Sequence, residues 1–313
     1  MTQSPFLRHG HTFYVIAEAS GNHSQSLDRA HALVQAAADA GAHAVKFQTF
    51  TPEEIAADNV RILRGYDRQH DAWIATLGVT TLRELFAQGG LPRPWHHQLK
   101  EHATDRGIDF LSTPFSVDAA RFLVEEIGVS ALKIASGDIT FFQLLDYANT
   151  LDIPVILSTG AATLDDITAA VLLHLPTQYY AQRLALLHCR SVYPCPASIV
   201  NLRSIQYLAL NFPYCTPGWS DHTTDIGMPS YALCAGAQVI EKHICLDADG
   251  VDAGHSLTPV AFQAMMQRLH EVAEILGTAT KNVHPREAHD RLWARRDIDN
   301  LRPTAAARAG AWK

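Results

Sequence analysis

Residues 154–175 read PVILSTGAATLDDITAAVLLHL. The first six are a short apolar run that ends in Ser158 and Thr159, as expected of a strand covered on both faces. The remainder places apolar side chains at helical spacing behind Thr163, with Asp166 three positions on, the signature of a capped helix start. A strand followed by a helix of this length is the unit of a parallel sheet, because parallel neighbours need a crossover between them.

The unit recurs on both sides. Upstream, TFYVIAE (12–18) precedes SLDRAHALVQAAADAGA (26–42), and AVKFQ (44–48) precedes a long segment and the helical PWHHQLKEHATDRG. DFLST (109–113) precedes SVDAARFLVEEIG, and ALKIAS (131–136) precedes FFQLLDYANTL. Downstream, LALLHC (184–189), PYCTPGWS (213–220) and QVIEKH (238–243) each precede a helical stretch. Eight such units in this length predict an α/β fold, the (β/α)₈ TIM barrel. A doubly wound sheet is disfavoured, since no G-x-G-x-x-G follows the first strand. Residues 49–92 form a long β2–α2 excursion, read as a lid with helical turns around TTLRELFAQ. The barrel domain is assigned to 1–277, and 278–313 to a C-terminal extension or linker stub.

The 313 residues are 47% hydrophobic and carry 32 acidic against 25 basic side chains, a formal charge of −7. That balance argues against a nucleic-acid or anionic-membrane surface. Five cysteines without C-x-x-C spacing read as reduced, mostly buried thiols. With no charged leader and no apolar run of membrane-spanning length, a soluble cytoplasmic protein is expected.

Barrel active sites assemble from the C-terminal ends of the strands. Those positions hold Glu18 with Asn22 and His23; Lys46 and Gln48; Ser112 and Thr113; Lys133, Ser136 and Asp138; Ser158 and Thr159; His188, Arg190, Ser191 and Tyr193; Ser220, Asp221 and His222; and Glu241, Lys242 and His243. Taken singly, a Lys here snorkels, a Ser caps a helix, and a His is a hydrogen-bonded core residue. Their concentration at one rim points elsewhere, because buried polar groups cost free energy unless paired. Lys46 and Lys133 with Ser136, Ser158, Ser191 and Ser220 suit a phosphorylated, carboxylated small molecule. His222 and His243 end adjacent strands and can converge on one divalent cation, with Glu18 as an additional or water-mediated ligand. Softness alone leaves Mn²⁺, Fe²⁺, Co²⁺ and Zn²⁺ open. A polarised carbonyl beside a phospho-carboxylate implies carbon–carbon bond formation.

The strings IAEASGNHSQSLDRAHALVQAAADAGAHAVKFQTF, FLSTPFS, LKIASGDI, VILSTGAATLDDI, LLHCRSVYPCP, GWSDHT, EKHICLD and GVDAGHSLTP, over roughly residues 12–275, closely resemble the sialic acid (N-acetylneuraminate) synthase family. That group includes legionaminic and pseudaminic acid synthases and a spore-coat polysaccharide protein. The resemblance implies an enzyme of carbohydrate and polysaccharide biosynthesis. It would be a transferase condensing phosphoenolpyruvate with the open-chain aldehyde of an N-acyl hexosamine such as N-acetylmannosamine. The product is a nine-carbon 2-keto acid, with phosphate released by C–O cleavage. Carried over by motif, His222 and His243 hold the metal, Mn²⁺ first and Mg²⁺ or Co²⁺ after it. Lys46, Lys133, Ser136, Ser158, Ser191 and Ser220 bind phosphoenolpyruvate, while Glu18, Gln48, Asp138, Tyr193 and Asp252 line the sugar and the reacting centre. Asp138 stands where the family often has Glu, and Arg190-Ser191 where bacterial members have Thr-Asn; Arg190 adds a cation near the sugar or phosphate. The resemblance implies that the family's antifreeze-like domain, with the arginine it lends to a partner subunit, would begin where this sequence stops, in a natural short form or a truncated one; a barrel–barrel homodimer is the expected assembly. Two alternatives stand beside this reading. One is a phosphoenolpyruvate-dependent 3-deoxy-2-keto sugar acid synthase with another aldose acceptor, and the other a barrel with reduced or lost turnover.

Overall fold

The eight apolar runs become eight strands: β1 Tyr14–Glu18, β2 Ala44–Thr49, β3 Asp109–Pro114, β4 Leu132–Ile134, β5 Val155–Ser158, β6 Leu184–Cys189, β7 Thr216–Asp221 and β8 Val239–His243. The computed structural model describes residues 5–7, 11–63 and 68–310. Every ladder is parallel, in the order β3-β2-β1-β8-β7-β6-β5-β4. β1 and β8, the ends of the unit in sequence, make a full ladder from Tyr14↔Val239 to Glu18↔His243. The seam instead lies between β3 and β4, which are neighbours without a ladder among the described residues. β4 has only three residues before the chain turns at Ser136–Asp138, which leaves little backbone to pair.

Alternation along the strands divides the core in two. Val15, Ala17, Val45 and Phe47 face the surrounding helices and join the larger apolar cluster. Ile16, Ala44, Leu111, Ile156, Leu187 and Val239 form a second cluster with Tyr14 and Phe6, the packed filling of a barrel interior. The helices follow from the same alternation: α1 Leu27–Asp39 buries Ala30, Leu33, Val34 and Ala37 on one face, and Ser26 caps it by accepting from the Arg29 amide. Thr163 and Asp166 form the reciprocal cap read from the sequence, Thr163 N donating to Asp166 Oδ2 at 2.8 Å.

Residues 50–92 carry three short helices, α2 Pro52–Ile55, α3 Arg68–Leu77 and α4 Leu82–Phe86. They enclose a small core of their own around Ile62, Ile74 and Val79. The excursion returns tightly: a Cβ on Gly90 would lie 2.6 Å from the Phe50 carbonyl oxygen, so only glycine fits there.

The chain divides into two compact units, residues 1–275 and 276–313. The second holds two short helices, α5 Ala288–Ala294 and α6 Ala305–Arg308, joined by a hydrogen bond from Thr304 N to Leu292 O. Four of the five thiols are buried and all are free. Among the described residues no helix is long and apolar enough to cross a membrane.

Candidate active site

Register explains which rim residues meet. Glu18 stands beside Lys46 on one side and His243 on the other, and Ser220 stands beside Glu241. These side chains line a cavity of about 290 Å³ at the C-terminal ends of the strands. Its floor is polar and shielded: Glu18, Lys46, Lys133 and Glu241 are all buried. Lys46 Nζ lies 2.5 Å from Glu18 Oε2 and 3.6 Å from Glu241 Oε2, and Lys133 Nζ lies 3.9 Å from the same Glu241 oxygen. Hydroxyls complete the shell, with Lys46 donating to Thr113 Oγ1, Lys133 to Ser158 Oγ, and Ser220 Oγ to Glu241 Oε1. Gln48 Nε2 donates to Glu18 Oε1 at 3.3 Å.

Burial sets the proton affinities of this group. It pushes the Glu18 carboxyl up to about 8, with Lys46 opposing and Glu241 reinforcing. It disfavours the charge on both lysines. At Lys46 the neighbouring Glu18 and Glu241 outweigh it and raise the ammonium, whereas Lys133 ends below its usual range.

Beside the lysines is a nest of small groups. Gly160 N donates to Ser136 Oγ at 2.8 Å. A Cβ at Gly160 would lie 2.3 Å from Ser191 Oγ and 2.9 Å from Ser136 Oγ, so its absence lets two hydroxyls approach one backbone amide.

At the opposite side histidines gather. The ring centroids of His222 and His243 are 5.4 Å apart, those of His243 and His255 4.4 Å, and those of His222 and His255 6.0 Å. Tyr193, exposed at the rim, packs on His222 at 4.1 Å. His222 Nδ1 meets the Arg190 carbonyl at 2.8 Å, which makes that nitrogen the donor and leaves Nε2 free to accept. Burial drives His222 down to about 3 and His243 well below its usual range, so both rings are neutral imidazoles at ordinary pH.

Twelve of the fourteen residues given a role from the sequence line the cavity: Glu18, Lys46, Gln48, Lys133, Ser136, Ser158, Ser191, Tyr193, Ser220, His222, His243 and Asp252. Asp138 and Arg190 do not. Asp138 is half-buried after the turn at Ser136, and burial raises its carboxyl to about 6. Arg190 is exposed, and its Nε donates to the Ile199 carbonyl at 2.9 Å, directing the guanidinium along its own loop. Sequence reasoning gave no role to Glu241, which the structure sets opposite Ser220, nor to His255, which lies one short turn beyond Asp252. The excursion contributes an apolar wall of Phe50, Ile55, Leu85 and Phe86, with Phe115 from the loop after β3.

A family model described as the NeuB family matches residues 33–281. The N,N'-diacetyllegionaminic acid synthase of Legionella pneumophila is 35% identical over 293 residues, covering 92% of this chain and 80% of that protein. The pseudaminic acid synthase of Campylobacter jejuni is 31% identical over 292 residues, covering 90% and 80%. Among solved structures, the N-acetylneuraminic acid (sialic acid) synthetase of Leptospira borgpetersenii, in complex with citrate, superposes with a TM-score of 0.76 at 31% identity. It covers 89% of this chain and 90% of that one.

Proposed function

The chain belongs to the NeuB family, and on that premise we propose that it condenses phosphoenolpyruvate with the open-chain aldehyde of an N-acylated hexosamine to give a nine-carbon 2-keto sugar acid and phosphate. The observation that carries this reading is the pairing, in one cavity, of two buried lysines ringed by hydroxyls with a cluster of neutral imidazoles. Lys46 and Lys133 oppose the charge of phosphate and carboxylate, where a dry site makes each ammonium worth more than in water. Ser136, held by the Gly160 amide, with Ser158, Ser191 and Ser220, supplies the hydrogen bonds that orient them.

His222 and His243 would hold a divalent cation, Mn²⁺ in the first instance. The residues fit such an ion: His243 Nδ1 is buried without a hydrogen-bond partner, and His222 keeps Nε2 unprotonated. Bound there, the cation would polarise the aldehyde oxygen. C3 of phosphoenolpyruvate then attacks the aldehyde carbon, water adds at C2, and the C–O bond to phosphate breaks. The added water gives up both its protons as the C2 ketone forms, one to the aldehyde oxygen and one to the departing phosphate, so the proton count closes. Glu18, held near 8 between Lys46 and the end of β8, is assigned to proton transfer at this centre. Gln48 and Asp252 face the acceptor hydroxyls, and the wall of Phe50 and Phe86 suits the methyl of an acyl group.

The test is to incubate the chain with phosphoenolpyruvate, Mn²⁺ and a panel of acyl-hexosamines, measuring phosphate and product mass. Phosphate released with an N-acyl hexosamine, with the mass of a nine-carbon keto acid, is the expected result. His222→Ala and His243→Ala each abolish turnover. Release only with a phosphorylated tetrose or pentose overturns the assignment.

A further inference from the structure

We propose that His255 is a direct ligand of the cation, joining His243 and Asp252 in one donor cluster beside His222. This rests on the reading that a divalent cation binds at His222 and His243.

The ligand atoms of His243, Asp252 and His255 all lie within 4.8 Å of one another. His243 Nδ1 is 3.8 Å from Asp252 Oδ2, and His255 Nε2 is 3.9 Å from Asp252 Oδ1. Both separations are too long for hydrogen bonds. Two donors each about 2.1 Å from one ion at the tetrahedral angle stand about 3.4 Å apart, so a movement of about half an ångström brings each pair onto a shared ion. Both nitrogens are also buried with no hydrogen-bond partner among the described residues, a costly arrangement unless something else satisfies them. His255 is buried, at 6% exposure.

The loop carrying Asp252 and His255 is built to hold this geometry. Asn22 accepts from the Asp252 amide at 2.8 Å and donates to Ser256 Oγ and the Ile244 carbonyl. Ser256 Oγ in turn donates to the Asp252 carbonyl, closing the turn Ala253–His255. Gly250 lets the loop settle on Asn22, because a Cβ there would lie 2.3 Å from Asn22 Oδ1. His255 itself stands outside the open cavity, so a nitrogen from it leaves the cavity side clear for substrate. Three imidazoles and one carboxylate suit Mn²⁺, Fe²⁺, Co²⁺ or Zn²⁺ and disfavour Mg²⁺, which prefers oxygen donors and retained waters.

The experiment titrates the metal-free full chain with Mn²⁺, following the free ion by electron paramagnetic resonance, and with Co²⁺, following its visible absorption. His255→Ala and His255→Gln are compared with wild type and with His222→Ala, and circular dichroism of each metal-free variant checks the fold. The expected result is one site whose Kd rises at least tenfold in both His255 variants, with an altered Co²⁺ spectrum. The Gln variant carries the comparison should Ala misfold. Wild-type affinity and spectrum in the His255 variants, with His222→Ala weakened, overturns the third ligand and leaves the proposed function standing. Wild-type affinity in all variants overturns the cation site itself.

Discussion

Asp138 follows the shortest strand of the barrel, and its Oδ2 is shielded from water with no hydrogen-bond partner among the described residues. Burial raises the carboxyl to about 6, and Lys133 only partly opposes it. In the unfolded chain the group ionises near 3.8, so between those values the folded chain holds the proton more tightly. Stability associated with this residue is therefore present below pH 4, falls as pH rises through 4 to 6, and stays reduced above 6. Asp138→Asn, which cannot ionise, is expected to have a higher urea midpoint than wild type at pH 7 and to lose that advantage at pH 4. Equal midpoints at pH 7 would show that the carboxylate is not strained by burial. Single residues were the least legible part of the sequence. The motif around Arg190 gave its identity but not its direction, which is set by the loop carbonyl of Ile199. His255 was readable as a letter in GVDAGHSLTP, yet only the Asn22-pinned loop brings it to His243.

Between β7 and β8, alternation sends Ser220 and Glu241 toward the cavity and their successors the other way. Asp221 and Lys242, both fully buried, then form an ion pair at 3.0 Å. Thr223 ties it off, its amide donating to Asp221 Oδ1 at 2.7 Å and its carbonyl accepting from Lys242. The pair clamps the two strand ends that carry His222 and His243. Removing one partner strands a buried charge, so Asp221→Ala or Lys242→Met is expected to cost about 3–5 kcal/mol in urea unfolding. The double variant Asp221→Leu with Lys242→Met should cost less than the sum of the two. Single variants as stable as wild type would mean the pair is energetically idle. Elements were far more legible than this pairing. Continuous apolar runs ending in Ser, Lys or His can only be strands delivering polar groups to one end, and the spacing of helices between them admits few topologies. What no single run contains is register, and register alone decides that Lys242 meets Asp221 and that the ladder gap falls at β3/β4.

Across the barrel as a whole, free energy is distributed unevenly along the axis. One end is filled by Ile16, Leu111, Ile156, Leu187 and Val239, which need no partners, and the other by two carboxyl groups and two lysine amines, all buried. Attraction within the cluster outweighs desolvation at Lys46 and Glu241 but not at Glu18, which is raised, or Lys133, which is lowered. An added anion that engages both lysines should therefore stabilise the entire unit and not the rim alone. At a concentration of about 100 times its Kd, phosphoenolpyruvate contributes about 2.7 kcal/mol by mass action. That corresponds to a rise in melting temperature of roughly 5 °C for a domain of this size. The shift requires no acceptor sugar and no turnover, so differential scanning calorimetry separates binding from chemistry. Lys133→Met should melt near its own baseline with or without phosphoenolpyruvate, because the buried ammonium that offsets the anion's charge and the repulsion of Glu241 is gone. A full shift retained in that variant would place the anion elsewhere on the rim, and with it the carbon that attacks the aldehyde.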